Sequence, residues 1–204
     1  MPFVFKRLAL LLSIAALSGS GSMAADKDPA PFKAEPAASY AAHQTSAQIT
    51  IGVDPYASGE KVKAAFGKLD PYQYGILPVL VVIQNDSDKS IRLDRVKAEY
   101  AGPNHDRVDA TPARDVRYLK GPDRPNAMPG PAGQVKVLKG KKNPLEAWEI
   151  EGRSFTAQML PPGQSASGFF YFQTGLQRDA TIYLSGIREA ATGKELLYFE
   201  LPLK

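Results

Sequence analysis

The 204-residue chain contains no cysteine. That absence excludes disulfides, thiol catalysis, thiolate metal sites and lipid attachment through an N-terminal cysteine. Histidine is almost as scarce, with His43 and His105 alone. Two separated imidazoles without thiols fall short of the three or four ligands a zinc site needs. His105 stands in Asn104-His105-Asp106-Arg107, the composition of a hairpin tip, so an exposed turn residue is expected there rather than a general base. Met128 and Met159 are far apart and Met23 lies near the N-terminus, so the clustered Met and His of a copper carrier are missing. Long apolar runs are missing too. The longest, Leu8 to Leu17, is half of the ~20 residues that a helix needs to cross a bilayer.

What that run does fit is a secretory leader. Lys6 and Arg7 form its positive start, Leu8 to Leu17 its apolar centre, and Ser18 to Ala25 a small-residue cleavage region. Ser22 and Ala24 suit a cut before Ala25, and a cut after Ala25 is nearly as good. Residues 1–24 are therefore expected to be a signal peptide, and the protein to work in the periplasm or outside the cell with no membrane span after cleavage. Losing Lys6 and Arg7 lowers the net charge by two from the +4 of the whole chain, and neither the balance nor the compartment calls for a nucleic acid. Residues 25–47, rich in Ala, Pro and polar side chains without an apolar period, predict a disordered spacer. Residues 48–204 are then one domain, long enough to be held by its core alone.

Within that domain the periodicity is that of strands. Ile49, Ile51 and Val53 alternate with Thr50 and Gly52 up to Asp54-Pro55. One short helix is predicted over 58–67, with Ser58 as cap, Val62, Ala65 and Phe66 on one face, and Gly67 as stop. Leu77 to Gln84 is apolar almost throughout, the mark of a central strand covered on both faces. The apolar parity then changes between Leu93 and Val96, as a β-bulge at Asp94-Arg95 would produce. Extended pieces are expected around Val108, from Val116 to Leu119 and from Val135 to Leu138, while the prolines and glycines of 121–133 predict a long loop. Pro144 to Ile150 reads equally as a helical turn or a strand start. Phe155 to Leu160, Gly168 to Gln173, Thr181 to Ile187 and Leu196 to Leu201 complete some seven to nine strands, the count of a β-sandwich or barrel.

Two blocks carry a resemblance. Gly75-Ile76-Leu77-Pro78-Val79-Leu80-Val81-Val82-Ile83-Gln84-Asn85 runs into an Asn-Asp-Ser-Asp turn, and Leu160-Pro161-Pro162-Gly163 leads into Gln164-Ser165-Ala166-Ser167-Gly168-Phe169-Phe170-Tyr171-Phe172. From Gly75 onward the order of features resembles immunoglobulin-like domains of bacterial exported proteins of unassigned function. The resemblance implies an all-β, immunoglobulin-like antiparallel sandwich with one short helix, and it implies no reaction. The Cys-Trp-Cys arrangement of antibody domains is absent.

No catalytic set emerges. Gly163-Gln164-Ser165-Ala166-Ser167-Gly168 has the wrong spacing for a nucleophile elbow. Asp86 and Asp88 lack the closing Glu and the sixth-position Gly of a calcium loop, so a turn is expected. Glu146, Glu149 and Glu151 beside Trp148 are the carboxylates through which an envelope enzyme would act on polysaccharide, although a lone tryptophan is more often a core anchor. One charge feature stands out: Lys120, Arg124, Lys136, Lys139, Lys141 and Lys142 face Asp123 alone, a patch suited to an anionic envelope component or an acidic partner protein. The sequence thus predicts a non-catalytic exported binding or structural module without a cofactor. The alternatives are an assembly chaperone that lends a free sheet edge and the Trp148-centred enzyme.

Overall fold

The computed structural model describes residues 32–104, 106–119, 127–129, 135–137, 143–196 and 198–203. Its strands begin with β1 (Ala42–Ser46) and β2 (Ile49–Pro55), followed by helix α1 (Gly59–Phe66) and then β3 (Leu77–Asn85). The short β4 (Ile91–Arg92), β5 (Lys97–Ala101) and β6 (Arg107–Asp109) precede α2 (Ala113–Val116). A small hairpin, β7 (Ala127–Pro129) with β8 (Val135–Val137), comes before α3 (Trp148–Gly152) and β9 (Met159–Leu160). The chain ends with β10 (Ser165–Phe172), β11 (Thr181–Ser185), β12 (Arg188–Glu189) and β13 (Phe199–Pro202).

These strands form two four-stranded antiparallel sheets, β1-β2-β3-β10 and β13-β11-β5-β6, with a three-stranded patch β12-β4-β9 beside them. The fold is an all-β antiparallel sandwich. Between the sheets lie Ile51, Val79, Val81 and Ile83 of the first and Tyr100, Ile182, Leu184 and Leu201 of the second, all buried. The alternation of β11, with Ile182 and Leu184 in and Thr181, Tyr183 and Ser185 out, is what a sheet with one wet face requires.

The strand read as covered on both faces is so. Leu77, Val79, Val81 and Ile83 join the inter-sheet core. Leu80 and Val82 join a second core on the opposite face, closed by Val62, Ala65 and Phe66 of α1, Val116 of α2, Ile150 of α3 and Phe169 and Tyr171 of β10. Full burial of an aliphatic or aromatic side chain contributes about 1.5–3 kcal/mol, so this second layer is a large part of what holds the first sheet. Helix α1 ends where Gly67 donates its N–H to Lys63 O; Ser58 precedes it but makes no side-chain capping bond.

The Asn-Asp-Ser-Asp turn and the Leu-Pro-Pro-Gly corner meet at one residue. Asn85 is fully buried, and its Nδ2 donates to Leu160 O (3.1 Å) and Lys89 O (2.8 Å). Its Oδ1 accepts from Ser87 N–H (3.2 Å) and Ser87 Oγ (2.6 Å). Its backbone completes the junction, accepting from Gly163 N–H (2.7 Å) and donating to Gln164 O (2.9 Å).

Several expectations are corrected. Ordered chain starts before Gln48: β1 pairs along its length with β2, and Ala37 is fully buried against Gly52, where a Cβ would stand 2.3 Å from Ala37 O. Over 32–47 the spacer reading failed because β1 is a polar edge strand, held by backbone pairing rather than by an apolar period; residues 25–31 and the expected signal peptide 1–24 lie outside the described residues. The parity change near Asp94 is no bulge. The chain leaves the small patch at β4 and enters the second sheet at β5, turning through Asp94-Arg95. Val116 closes the helical turn α2 and a turn follows over 117–119, so no extended piece runs from Val116 to Leu119, and Ala127–Pro129 is a strand inside the expected loop. Pro144–Glu146 and Trp148–Gly152 are both helical, so three short α-helices stand among the described residues, not one. Among the described residues thirteen strands replace the expected seven to nine, because several span only two or three residues.

Candidate functional site

The two sheets are joined along both sides, by a side-chain latch on one and by a crossing segment on the other. On the latched side Gln44 Oε1 of β1 accepts from Glu200 N–H of β13 at 2.8 Å. On the other side β10 edges the first sheet and β6 the second, and the chain after β6 crosses between them. Thr111 N–H donates to Tyr171 O (2.7 Å), while Phe155 N–H donates to Phe169 O (3.1 Å) and Phe169 N–H to Arg153 O (2.8 Å). The 154–155 segment can lie this close because position 168 is glycine; a Cβ there would stand 2.4 Å from Phe155 Cα.

Between these edges opens a groove of about 590 Å3. Phe155 and Phe170, both half-buried, stack within it with ring centroids 5.4 Å apart and planes at 20°. Lys97, Glu99, Asp109 and Thr111 supply polar groups along its lining. Gln173 Nε2 donates to Thr111 Oγ1 at 3.3 Å, and Tyr171 OH donates to buried Ile150 O at 2.7 Å. Burial raises the Tyr171 phenol pKa far above its ordinary value, with Arg153 opposing, so this hydroxyl stays protonated. An apolar stacked pair with a few charged groups beside it is the usual make-up of a ligand groove.

The residues singled out from the sequence are distributed differently. Lys136 lies in β8 opposite Met128; Lys120, Arg124, Lys139, Lys141 and Lys142 lie outside the described residues, as does His105. His43 is on β1, with Nδ1 2.7 Å from Tyr40 O. Trp148 is not a core anchor: it is 69% exposed, with its six-membered ring laid against Gly152. Glu151 is paired with Arg117. Glu149 instead lines a hollow of about 460 Å3 together with Lys68, Asp70, Gln73 and Asn143, and Asp70 Oδ1 is already engaged with the N–H groups of Tyr72 and Gln73. The structure therefore does not bring Glu149 and Glu151 to one cleft. Asp86 Oδ1 accepts from Gln84 Nε2, and Asn85 fills the rest of that turn, so the turn reading of 85–88 holds.

Sequence reasoning read Phe155 and Phe170 as strand residues and missed their meeting. They lie on different segments, and no spacing connects them to Lys97 or Thr111. Among the described residues no group of three or more His, Asp or Glu side chains could hold a metal ion, and no helix is long and apolar enough to cross a membrane.

No family model matches the chain, and neither does any curated protein. Solved structures similar to it include an uncharacterized β-sandwich protein from Clostridium difficile 630, at 10% identity and TM-score 0.33, covering 85% of this chain and 99% of that one. Another is the putative ApaA protein from Bordetella pertussis, at 12% identity and TM-score 0.32, with coverages of 81% and 92%. A functionally unknown protein from Listeria monocytogenes EGD-e is similar at 11% identity and TM-score 0.33, over 79% of this chain and 80% of that one. Likeness at this level assigns no function.

Proposed function

We propose that the chain is an exported, non-catalytic binding module of the bacterial cell envelope, built on an immunoglobulin-like sandwich, with its partner seated in the groove between the β10 and β6 edges. The observation that carries the binding role is the stacked Phe155–Phe170 pair inside a groove of about 590 Å3. Apolar rings that a core would normally enclose here line a space large enough for a ligand or a partner's side chains. Export is supported by the Lys6-Arg7 start, the apolar run and the Ser22-Met23-Ala24 cleavage pattern. Strand order supports the immunoglobulin-like part: β2-β3-β10 follow the order A-B-E, and β13-β11-β5 the order G-F-C, of such domains.

Two measurements test the reading. N-terminal sequencing of protein recovered from the envelope fraction is expected to start at Ala25 or Asp26, and an intact Met1 there would refute export. A photo-reactive residue at position 155 or 170 is expected to cross-link one discrete partner in envelope extract, and one at Tyr118 is not. Equal labelling from all three positions would remove the groove as the binding site.

A further inference from the structure

The outer face of the second sheet carries an arrangement that solvation alone does not call for. Cross-strand register puts Glu200, Tyr183, Glu99 and Asp109 in one row across β13, β11, β5 and β6. With strands ~4.8 Å apart, that row is about 14 Å long. Tyr183 OH donates to Glu200 Oε1 at 3.1 Å, and this bond raises the phenol's pKa, so it stays protonated. Arg107 sits over the Tyr183 ring, 5.0 Å from its centroid, and bonds Glu99 at 2.9 Å. Tyr198, 61% exposed, completes an aromatic pair with Tyr183 at 6.3 Å and 45°. Glu99, Arg107, Tyr183, Tyr198 and Glu200, together with Ser185, line a shallow depression of about 300 Å3.

We infer that this face binds an uncharged oligosaccharide, with a pyranose ring lying on Tyr198 beside the Arg107-covered Tyr183 and its hydroxyls bonded to Glu99, Glu200 and Arg107. A pyranose has an apolar C–H face and a rim of hydroxyls, and the exposed Tyr198 ring bordered by fixed acceptors and a donor matches both. The hydrogen bonds to Glu200 and Glu99 hold the carboxylates in place before a ligand arrives, which reduces the ordering cost of binding. Three carboxylates in the row disfavour a polyanion. A peptide is the poorer match. β11 and β5 are paired on both sides, so they offer no free backbone edge for strand addition, and the depression is shallow and polar. The depression is separate from the Phe155–Phe170 groove, although Glu99 lines both and Asp109, at the end of the row, lines the groove.

The test is titration of the purified protein with neutral trisaccharides, namely β-1,4-linked glucose, β-1,4-linked N-acetylglucosamine and α-1,4-linked glucose, followed by calorimetry and by amide NMR shifts. At least one is expected to bind, with shifts on β11, β5 and β13. Tyr198→Ala should weaken it at least tenfold, Tyr198→Phe should retain it, and Glu200→Gln should weaken it several-fold. Tyr198 is mostly exposed, so its variants report on binding even if Tyr183→Ala lowers the melting temperature. The inference is overturned if no trisaccharide binds, if Tyr198→Ala binds as the parent does, or if shifts appear on another face. It is also overturned if tri-lysine or a trimer of galacturonate binds this face and the neutral sugars do not. None of these outcomes alters cross-linking from positions 155 and 170, so failure here is distinct from failure of the groove reading.

Discussion

Replacing Asn85 by alanine removes the side chain that joins the turn after β3 to the corner before β10. Four hydrogen bonds go with it: two donated to Leu160 O and Lys89 O, and two accepted from Ser87. The Leu160 carbonyl is buried at that contact, and stranding a buried acceptor costs about 1–3 kcal/mol. Water can reach Lys89 and Ser87, so the bonds there cost only the net value of ~0.5–1.5 kcal/mol each. The sum for Asn85→Ala is about 2.5–7.5 kcal/mol, which for a domain of this size lowers the melting temperature by roughly 5–30 °C. Asn85→Asp sharpens the test. It keeps the acceptor for Ser87 but turns a buried carboxylate oxygen toward the Leu160 and Lys89 carbonyl oxygens, the first of them closed to solvent. Desolvation and those carbonyls raise the carboxyl's folded pKa, so its destabilisation is greatest at neutral pH and eases as pH falls and the acid recovers a donor. Calorimetric melts of the parent, Asn85→Ala and Asn85→Asp should show the aspartate variant gaining on the alanine variant between about pH 7 and about pH 4. An Asn85→Ala melt within about 1 °C of the parent would refute the junction's role, and so would a pH-independent gap between the two variants.

Three further outcomes are expected. In Asp94, burial raises the carboxyl pKa but hydrogen bonds from Arg92 and Arg188 outweigh it, and in Glu189 bonds from Lys89 and Thr192 lower it, so both lie below their ordinary 3.8 and 4.5. The stability they contribute is complete above those values and is lost as pH falls through the lower folded ones; urea melts below pH 4.5 should show a shallower loss for Glu189→Gln than for the parent, and equal slopes would exclude the contribution. Gly168→Ala should cost about 1–3 kcal/mol or more, because its methyl would meet backbone at Phe155 and Ser154 that cannot swing aside; a melt unchanged from the parent would contradict the close approach. Phe66→Ala should cost about 3–5 kcal/mol through the second core whereas Trp148→Ala changes stability by about 0.5 kcal/mol, and comparable losses would show Trp148 to be a core residue after all.

The parts of the fold legible in the sequence are those where local pattern and burial coincide. The apolar run of β3 announces two covered faces because a strand exposed on one side would alternate, and α1 shows in Val62, Ala65 and Phe66 because one helical face meets one core. Asn85-Asp86-Ser87-Asp88 and Pro161-Pro162-Gly163 were legible as turns, but their meeting was not, since Asn85 and Leu160 are brought together only by the sandwich. β1 was hidden because His43, Gln44, Thr45 and Ser46 carry no apolar signal. The candidate groove was hidden for the same reason as the Asn85 junction: Lys97, Thr111, Phe155 and Phe170 are each ordinary in their own segments.

The pairing of β3 has a consequence for how the chain must be handled while it is made and moved. One edge of β3 is filled early by β2, but the other waits for β10, which lies some eighty residues further along the chain. Until the chain has reached Ser165 and beyond, a nine-residue apolar strand has one bare ladder and one naked face, the combination that draws chains together into aggregates. A fragment ending before Ser165 should therefore precipitate rather than remain as a smaller domain. An exported copy would need to cross the membrane with β3 and β10 still apart, and then join them quickly on the far side.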